Sequence, residues 1–161
     1  MLINAVQIQQ SFEPCGANVG IKFLNENAKM PTRSSDMAAG WDLYAATTEP
    51  IDIAPHSTVK VGTGLSMQLP DETVGLIFAR SGLASKKGLR PANCVGVCDA
   101  DYRGEYIVAL HNDTDEMQSI EPGDRIAQLI IVPFYPIVFN EMEELEETER
   151  GDGGFGSTGA N

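Results

Sequence analysis

Cations are scarce in this sequence. Lys and Arg number 11 against 23 Asp and Glu, for a net charge of −12. A general nucleic-acid binder shows a basic face, so that class is set aside. The same deficit means that overall charge does not draw in an anionic ligand, which must be held by individually placed donors. Histidine is almost missing: His56 and His111 stand alone and are too few to complete a zinc site with the cysteines. The cysteines themselves are three, Cys15, Cys94 and Cys98, so at least one has no partner within the chain. On a shared strand Cys94 and Cys98 would lie about 13 Å apart, beyond disulfide reach. They are read as buried, reduced thiols of a cytosolic protein. No apolar run approaches the length of a membrane span. The first residues, MLINAVQIQQSFEP, lack the basic start and apolar stretch of a signal peptide and the arginines of a transit peptide. A cytoplasmic protein with no membrane partner is therefore expected.

Helical patterning is also sparse. Between Ala39 and Pro136 it is confined to Ser81–Lys87, which Ser81 would cap and Gly88 would end. What fills this span is short apolar stretches split by Gly, Pro, Asn and Asp. Candidate strands are residues 20–24, 41–45, 58–62, 65–69, 74–79, 93–99, 105–112, 125–133 and 135–140. Several alternate as half-buried strands do, with β-branched residues frequent. Thr63-Gly64, Leu69-Pro70-Asp71 and Glu121-Pro122-Gly123-Asp124 read as turns. Many short strands with frequent turns predict an all-β barrel or jelly roll. At 161 residues and 42% hydrophobic content the chain makes one such domain. We place it at 1–140, followed by an acidic tether at 141–149 and a glycine-rich arm at 150–161. The tether, EMEELEETE, carries six glutamates whose like charges oppose a helix. It reads as a solvated spacer, or as a charged one that keeps the arm off its own subunit.

The arm reads RGDGGFGSTG from Arg150 to Gly159. So glycine-rich a segment cannot build a core, because each glycine costs entropy to order and adds no apolar surface. Yet Arg150 can fork onto phosphate oxygens, Phe155 can stack on a flat ring, and Ser157 and Thr158 can donate to anions. These parts suit a flexible closing segment over a nucleotide, against the plain alternative of a terminal tail. Gly151, Gly153 and Gly156 also fit a dinucleotide fingerprint. That motif needs a strand before it and a helix after it, so the match is read as accidental.

Other segments carry matching chemistry. Residues 93–112, NCVGVCDADYRGEYIVALHN, read as a β-hairpin with a wide loop at Asp99-Ala100-Asp101-Tyr102-Arg103-Gly104. A hairpin splayed at its end exposes backbone donors and acceptors that match a pyrimidine edge. Asp99 at its mouth can take a proton from water, and the Tyr102 ring can pack on a sugar face. The plain alternative is a surface hairpin with Asp101 pairing Arg103. Arg80, Ser81 and Gly82 open the short helix after a strand, where free amides suit phosphate; simple capping by Ser81 is the alternative. Lys86, Lys87 and Arg90 read as a solvated face. Arg125 and Gln128 project from the polar end of the most apolar strand, unless Arg125 merely pairs with Asp124. Asp42, between bulky apolar residues, needs a partner: an arginine or a hydrated magnesium.

In this order, these segments resemble the five motifs of trimeric deoxyuridine triphosphatases, the dUTPases, from Ala38 to Gly159. GDRIAQLI, the DADYRGE hairpin and the arm carry the likeness. It implies a jelly-roll-like subunit of the β-clip kind, a homotrimer whose three sites each draw on all three chains, and Mg2+-dependent conversion of dUTP to dUMP and pyrophosphate. Such an activity limits uracil incorporation into DNA and supplies dUMP for thymidylate synthesis. By position, Asp42 matches the acid that holds metal-bound waters, and Arg80, Ser81, Gly82 and Gln128 match phosphate binders. Arg125 matches an arginine that organises the site. Asn93 matches a uracil contact, and Asp99 the carboxylate that activates the attacking water. Tyr102 matches the ring under deoxyribose that leaves no room for a 2′-hydroxyl. In the arm, Arg150, Ser157 and Thr158 match γ-phosphate ligands, Phe155 matches the ring over uracil, and Gly156 lies among them as a further substrate contact. Trp41 and His111 depart from the pattern and read as packing variations.

Two other functions remain to be separated. A dCTP deaminase shares the fold but carries a catalytic glutamate shortly before the asparagine of the second hairpin strand. Here that stretch is Val108-Ala109-Leu110-His111-Asn112, with no glutamate. A non-enzymatic nucleotide-binding trimer commonly lacks the water-activating acid or the arm, and both are present.

Overall fold

The computed structural model describes residues 18–154. Its strands are β1 (Gly20–Phe23), β2 (Trp41–Tyr44), β3 (Ile51–Ile53), β4 (Thr58–Gly62), β5 (Leu65–Gln68), β6 (Thr73–Phe78), β7 (Leu89–Pro91), β8 (Val95–Cys98), β9 (Ile107–Asn112), β10 (Gln118–Ile120) and β11 (Arg125–Pro133). One helix, α1, spans Ser81–Lys87. The strands form a four-stranded sheet β2-β11-β6-β8, a three-stranded sheet β4-β9-β7, and the pairs β1-β5 and β3-β10. Every ladder is antiparallel. The all-β, jelly-roll-like expectation holds.

The core follows from alternation. In β9, Val108, Leu110 and Asn112 point inward while Ile107, Ala109 and His111 are less covered. Leu43, Ile53, Leu65, Leu89, Ile120 and Ile126 meet them, each fully out of solvent. Asn112 is the polar member of this core and is satisfied there. Its Nδ2 donates to the carbonyls of Ile53, Ala54 and Glu116 at 3.0, 3.3 and 2.7 Å, and Oδ1 accepts from Thr114 N at 2.9 Å.

Several expectations change. Strands β3, β7 and β10 have three residues each, too short for a sequence alternation to register. Residues 135–140, expected as a strand, pair with nothing among the described residues. Phe134 N still donates to Glu72 O at 3.0 Å, but beyond it Tyr135, Val138 and Phe139 are almost wholly exposed. A strand exists only where another takes its backbone hydrogen bonds, and the described residues offer no such edge there. Residues 93–112 are not one ladder: β8 joins the four-stranded sheet and β9 the three-stranded one. Ala92 N donates to Ala109 O at 2.8 Å, extending the β7–β9 ladder by one residue before the chain turns away into β8. Ser81 does not cap α1. Arg80 occupies the N-cap with extended backbone and no side-chain cap, while Gly88 ends the helix at φ 62° as expected. The tether at 141–149 is exposed and carries no helix.

Candidate active site

The four-stranded sheet assembles one cluster. A β-bulge in β11 decides its geometry. Arg125 pairs with Tyr44 and Ala127 with Leu43, so Ile126 is one residue too many for the ladder. In a regular strand Arg125 and Gln128, three positions apart, would point to opposite faces. With the bulge, they stand opposite Tyr44 and Asp42 on a single face. Arg125 Nη1 donates to Asp42 Oδ2 at 3.1 Å, and Arg80 Nε donates to Asp42 Oδ1 at 3.1 Å. Asp42 is 8% exposed, so its charge is met by two arginines, as a buried carboxylate requires. Asp124 takes no part; its Oδ2 accepts from Glu121 N.

Two glycines shape this cluster. The Gln128 amide lies across Gly40, where an added Cβ would come 2.5 Å from Oε1. At Gly82 an added Cβ would meet nothing nearer than Arg80 Nη1 at 3.8 Å. Packing within the chain does not demand a glycine there. Arg80, Ser81, Gly82, Arg125, Gln128 and Asp42 are thus brought together. Lys87 and Arg90 are not free as expected: Lys87 Nζ donates to Ser119 O at 3.1 Å, and Arg90 forks onto Asp113 at 2.7 and 3.0 Å.

Asn93 lies just before β8, and Asp99 and Tyr102 lie in the loop after it. All three are exposed. Asn93 stands beside the flat face of Gly96, where an added Cβ would lie 3.6 Å from Nδ2. Tyr102 N donates to Asp99 O at 3.1 Å, so the carboxylate and the ring belong to one turn. Arg103 Nη1 donates to the carbonyls of Ala100 and Tyr102, at 2.6 and 3.0 Å, rather than pairing with Asp101. Beneath them Tyr106 Oη is buried beside the Cys98 thiol. Burial, and then the charge of Asp99, push the Cys98 thiol up from its ordinary range, and burial does the same to Tyr106. Cys94 is exposed, at a left-handed φ of 61°, and not buried as expected; Cys15 lies outside the described residues.

The Arg80 cluster and the Asp99–Tyr102 turn do not converge within one chain. Asp42, Gln128, Phe78 and Val95 are successive register partners across the sheet. Arg80 follows Phe78 at that end, whereas Asp99 follows Cys98, which pairs with Gly75 further down β6. Four residue steps along the strand separate Val95 from Asp99, about 13 Å. Arg150 is exposed and donates through Nε to Gly153 O at 2.9 Å, inside its own turn. Phe155, Gly156, Ser157 and Thr158 lie outside the described residues. Among the described residues no three His, Cys, Asp or Glu side chains gather into a metal cage, and no helix is long and apolar enough to cross a membrane.

The dUTPase family model matches residues 26–159. The chain belongs to the dUTPase family. A deoxyuridine 5'-triphosphate nucleotidohydrolase of Desulfitobacterium hafniense is 49% identical over 132 residues, covering 81% of this chain and 87% of that one. The dUTPase of Staphylococcus bacteriophage 80alpha, solved with dUPNHPP, superposes with a TM-score of 0.81 at 32% identity, over 89% of this chain and 99% of that one. The dUTPase of phage phi11 of S. aureus, with a TM-score of 0.74 and 27% identity over 81% of this chain and 99% of that one, was solved as a mutant that reveals the coordination of a structural Mg(II) ion. Sequence reasoning alone does not reach Gly40, the support of Gln128; the Gly40-Trp41-Asp42 run was legible only as an acid among bulky residues. Trp41 itself is half-exposed under the Arg33 guanidinium, 4.8 Å from the ring centre.

Proposed function

We infer that the chain is a deoxyuridine 5'-triphosphate nucleotidohydrolase. It hydrolyses dUTP to dUMP and pyrophosphate. The observation that carries this reading is the pairing, in a chain of this family, of a cation cluster around Asp42 with a turn that ties Asp99 to Tyr102.

In the reaction, Asp99 orients a water and takes its proton as the oxygen bonds to the α-phosphorus. The bond to the bridging oxygen breaks, and pyrophosphate leaves. Arg80, the Ser81 hydroxyl, the Gly82 backbone and the Gln128 amide hold phosphate oxygens, with Arg125 keeping Asp42 in place. Asn93 and the neighbouring backbone read uracil. Tyr102 closes the sugar face against a 2′-hydroxyl. The arm from Arg150, with Phe155, Gly156, Ser157 and Thr158, covers base and γ-phosphate and excludes water. The acidic residues at 141–149 serve as its tether.

Magnesium fits this donor set only together with substrate. One buried carboxylate, with each oxygen already taking one arginine N–H, has lone pairs left for metal-bound waters but is no cage. Asp42 would hold those waters, and the ion when bound would neutralise charge on the leaving phosphates.

Separation of the Arg80 and Asp99 ends supports a site shared between copies, and we propose the homotrimer. The exposed apolar run Ile137, Val138 and Phe139 supports the same assembly, since a monomer would leave it in water. The substrate and the two free thiols favour a cytoplasmic enzyme acting on the nucleotide pool, with no nucleic acid or membrane partner. The test is incubation of purified protein with Mg2+ and either dUTP or dCTP. Pyrophosphate from dUTP is the expected result. Ammonia from dCTP would assign the deaminase instead, and binding without turnover the non-enzymatic trimer.

A further inference from the structure

The loop that carries Tyr102 leaves one sheet and enters another, so no ladder fixes it. The ring is nevertheless confined. Tyr102 Oη donates to Glu105 O at 3.1 Å, the ring lies over Gly104 with no room for a side chain there, and the Tyr106 ring sits 6.0 Å away at 47°. Confinement within the loop is useful only if the loop itself is anchored.

The anchor is the turn after β4 together with the start of β5. Gly64 N donates to Glu105 Oε1 at 2.7 Å. Thr63 Oγ1 donates to Tyr106 O at 2.6 Å, and Ser66 Oγ donates to Arg103 O at 2.8 Å. Tyr106 N donates to Leu65 O at 2.8 Å. The Glu105 carboxylate also lies over Gly62, where an added Cβ would come 2.5 Å from Oε1. Thr63 is fully buried and Ser66 is 8% exposed. Hydroxyls so placed cost stability unless they are bonded, and their partners here are loop carbonyls.

We propose that Glu105, seated on the Gly64 amide with Thr63 and Ser66 on either side, is a positioning residue for Tyr102 and sets how strictly the enzyme rejects a 2′-hydroxyl. It does not touch substrate. A steric filter works only while its wall holds to within about 0.5 Å. Without the Glu105 seat, the loop is free to lift and Tyr102 with it, opening space beside the sugar. The proposal rests on the reading of Tyr102 as the sugar-facing ring.

The test is steady-state kinetics of the assembled enzyme with dUTP and with UTP, which differ only in that hydroxyl. Glu105→Ala is expected to raise KM for dUTP with kcat nearly kept, and to lower the dUTP-over-UTP ratio of kcat/KM about tenfold, the scale of one charge-assisted hydrogen bond. Glu105→Gln keeps an acceptor at Oε1 and is expected to hold the ratio near that of the parent. Ser66→Ala removes a single hydroxyl and is expected to shift the ratio the same way by a smaller factor; it carries the test if Glu105→Ala does not fold. A ratio unchanged in the alanine variants, whatever their stability, overturns the proposal. Tyr102→Ala run alongside separates the two levels. If it alone collapses the ratio, the Glu105 latch fails and the Tyr102 reading stands; if it too leaves the ratio intact, the Tyr102 reading fails.

Discussion

Arg125 reaches back over 83 residues of chain to place Nη1 3.1 Å from Asp42 Oδ2. The bulge at Ile126 makes that contact possible, and Arg80 completes the clamp on the other carboxylate oxygen. Asp42→Ala therefore leaves two guanidinium groups facing each other without a counter-charge. Both arginines are partly in water, with side chains 27% and 45% exposed, and solvent screens much of the repulsion. The expected loss is about 1–2 kcal/mol in urea unfolding, below what a fully buried pair would cost. The same variant should need more Mg2+ for half-maximal turnover. A stable variant with an unchanged Mg2+ requirement would remove Asp42 from the metal's shell.

Gly88 offers a control at a distance from chemistry. Its φ of 62° is the left-handed region, and an added Cβ would run into the Thr114 side chain. Gly88→Ala should cost about 1–2 kcal/mol of stability for the backbone alone. Turnover per folded protein should stay at the parent value, checked by thermal melting alongside initial rates. A fall in kcat without a fall in Tm would mean that the C-terminus of α1 is coupled to the site.

The limits of legibility in the sequence have physical causes. The long strands announce themselves, β9 by alternation, because burial on one face imposes period two, and β11 by a nearly continuous apolar run. The bulge at Ile126 does not, since one extra residue leaves composition unchanged while moving Arg125 to the face of Gln128. Residues 135–140 have strand composition and no strand, because pairing depends on a neighbour that none of the described residues supplies. At the site, Asp42, Arg80, Gln128 and Asp99 stand out as polar groups in apolar or glycine-rich settings. Thr63 and Ser66 do not: a buried hydroxyl and a surface one look alike in sequence, and only the fold sets them against the carbonyls of Tyr106 and Arg103.

The arm makes a sharper prediction. The described part of residues 134–154 is exposed except at Gly153 and supports no core strand. Truncation after Glu149 should then leave Tm within about 2 °C of the parent. Loss of Arg150 and the hydroxyls beyond it should lower kcat on dUTP by about 10²-fold or more, the scale of removing preorganised donors from a developing anion. Full turnover without the arm would show that closure is dispensable.

The central claim is that Asp99 of one copy and the Arg80 cluster of another act on the same dUTP. Asp99→Asn and Arg80→Ala should each nearly abolish pyrophosphate release while still assembling. Unfolded together and refolded as a mixture, the two inactive proteins should regain activity, with roughly a quarter of sites intact in randomly assorted threefold rings. A mixture no more active than the sum of its parts, in rings shown to contain both chains, would contradict the account.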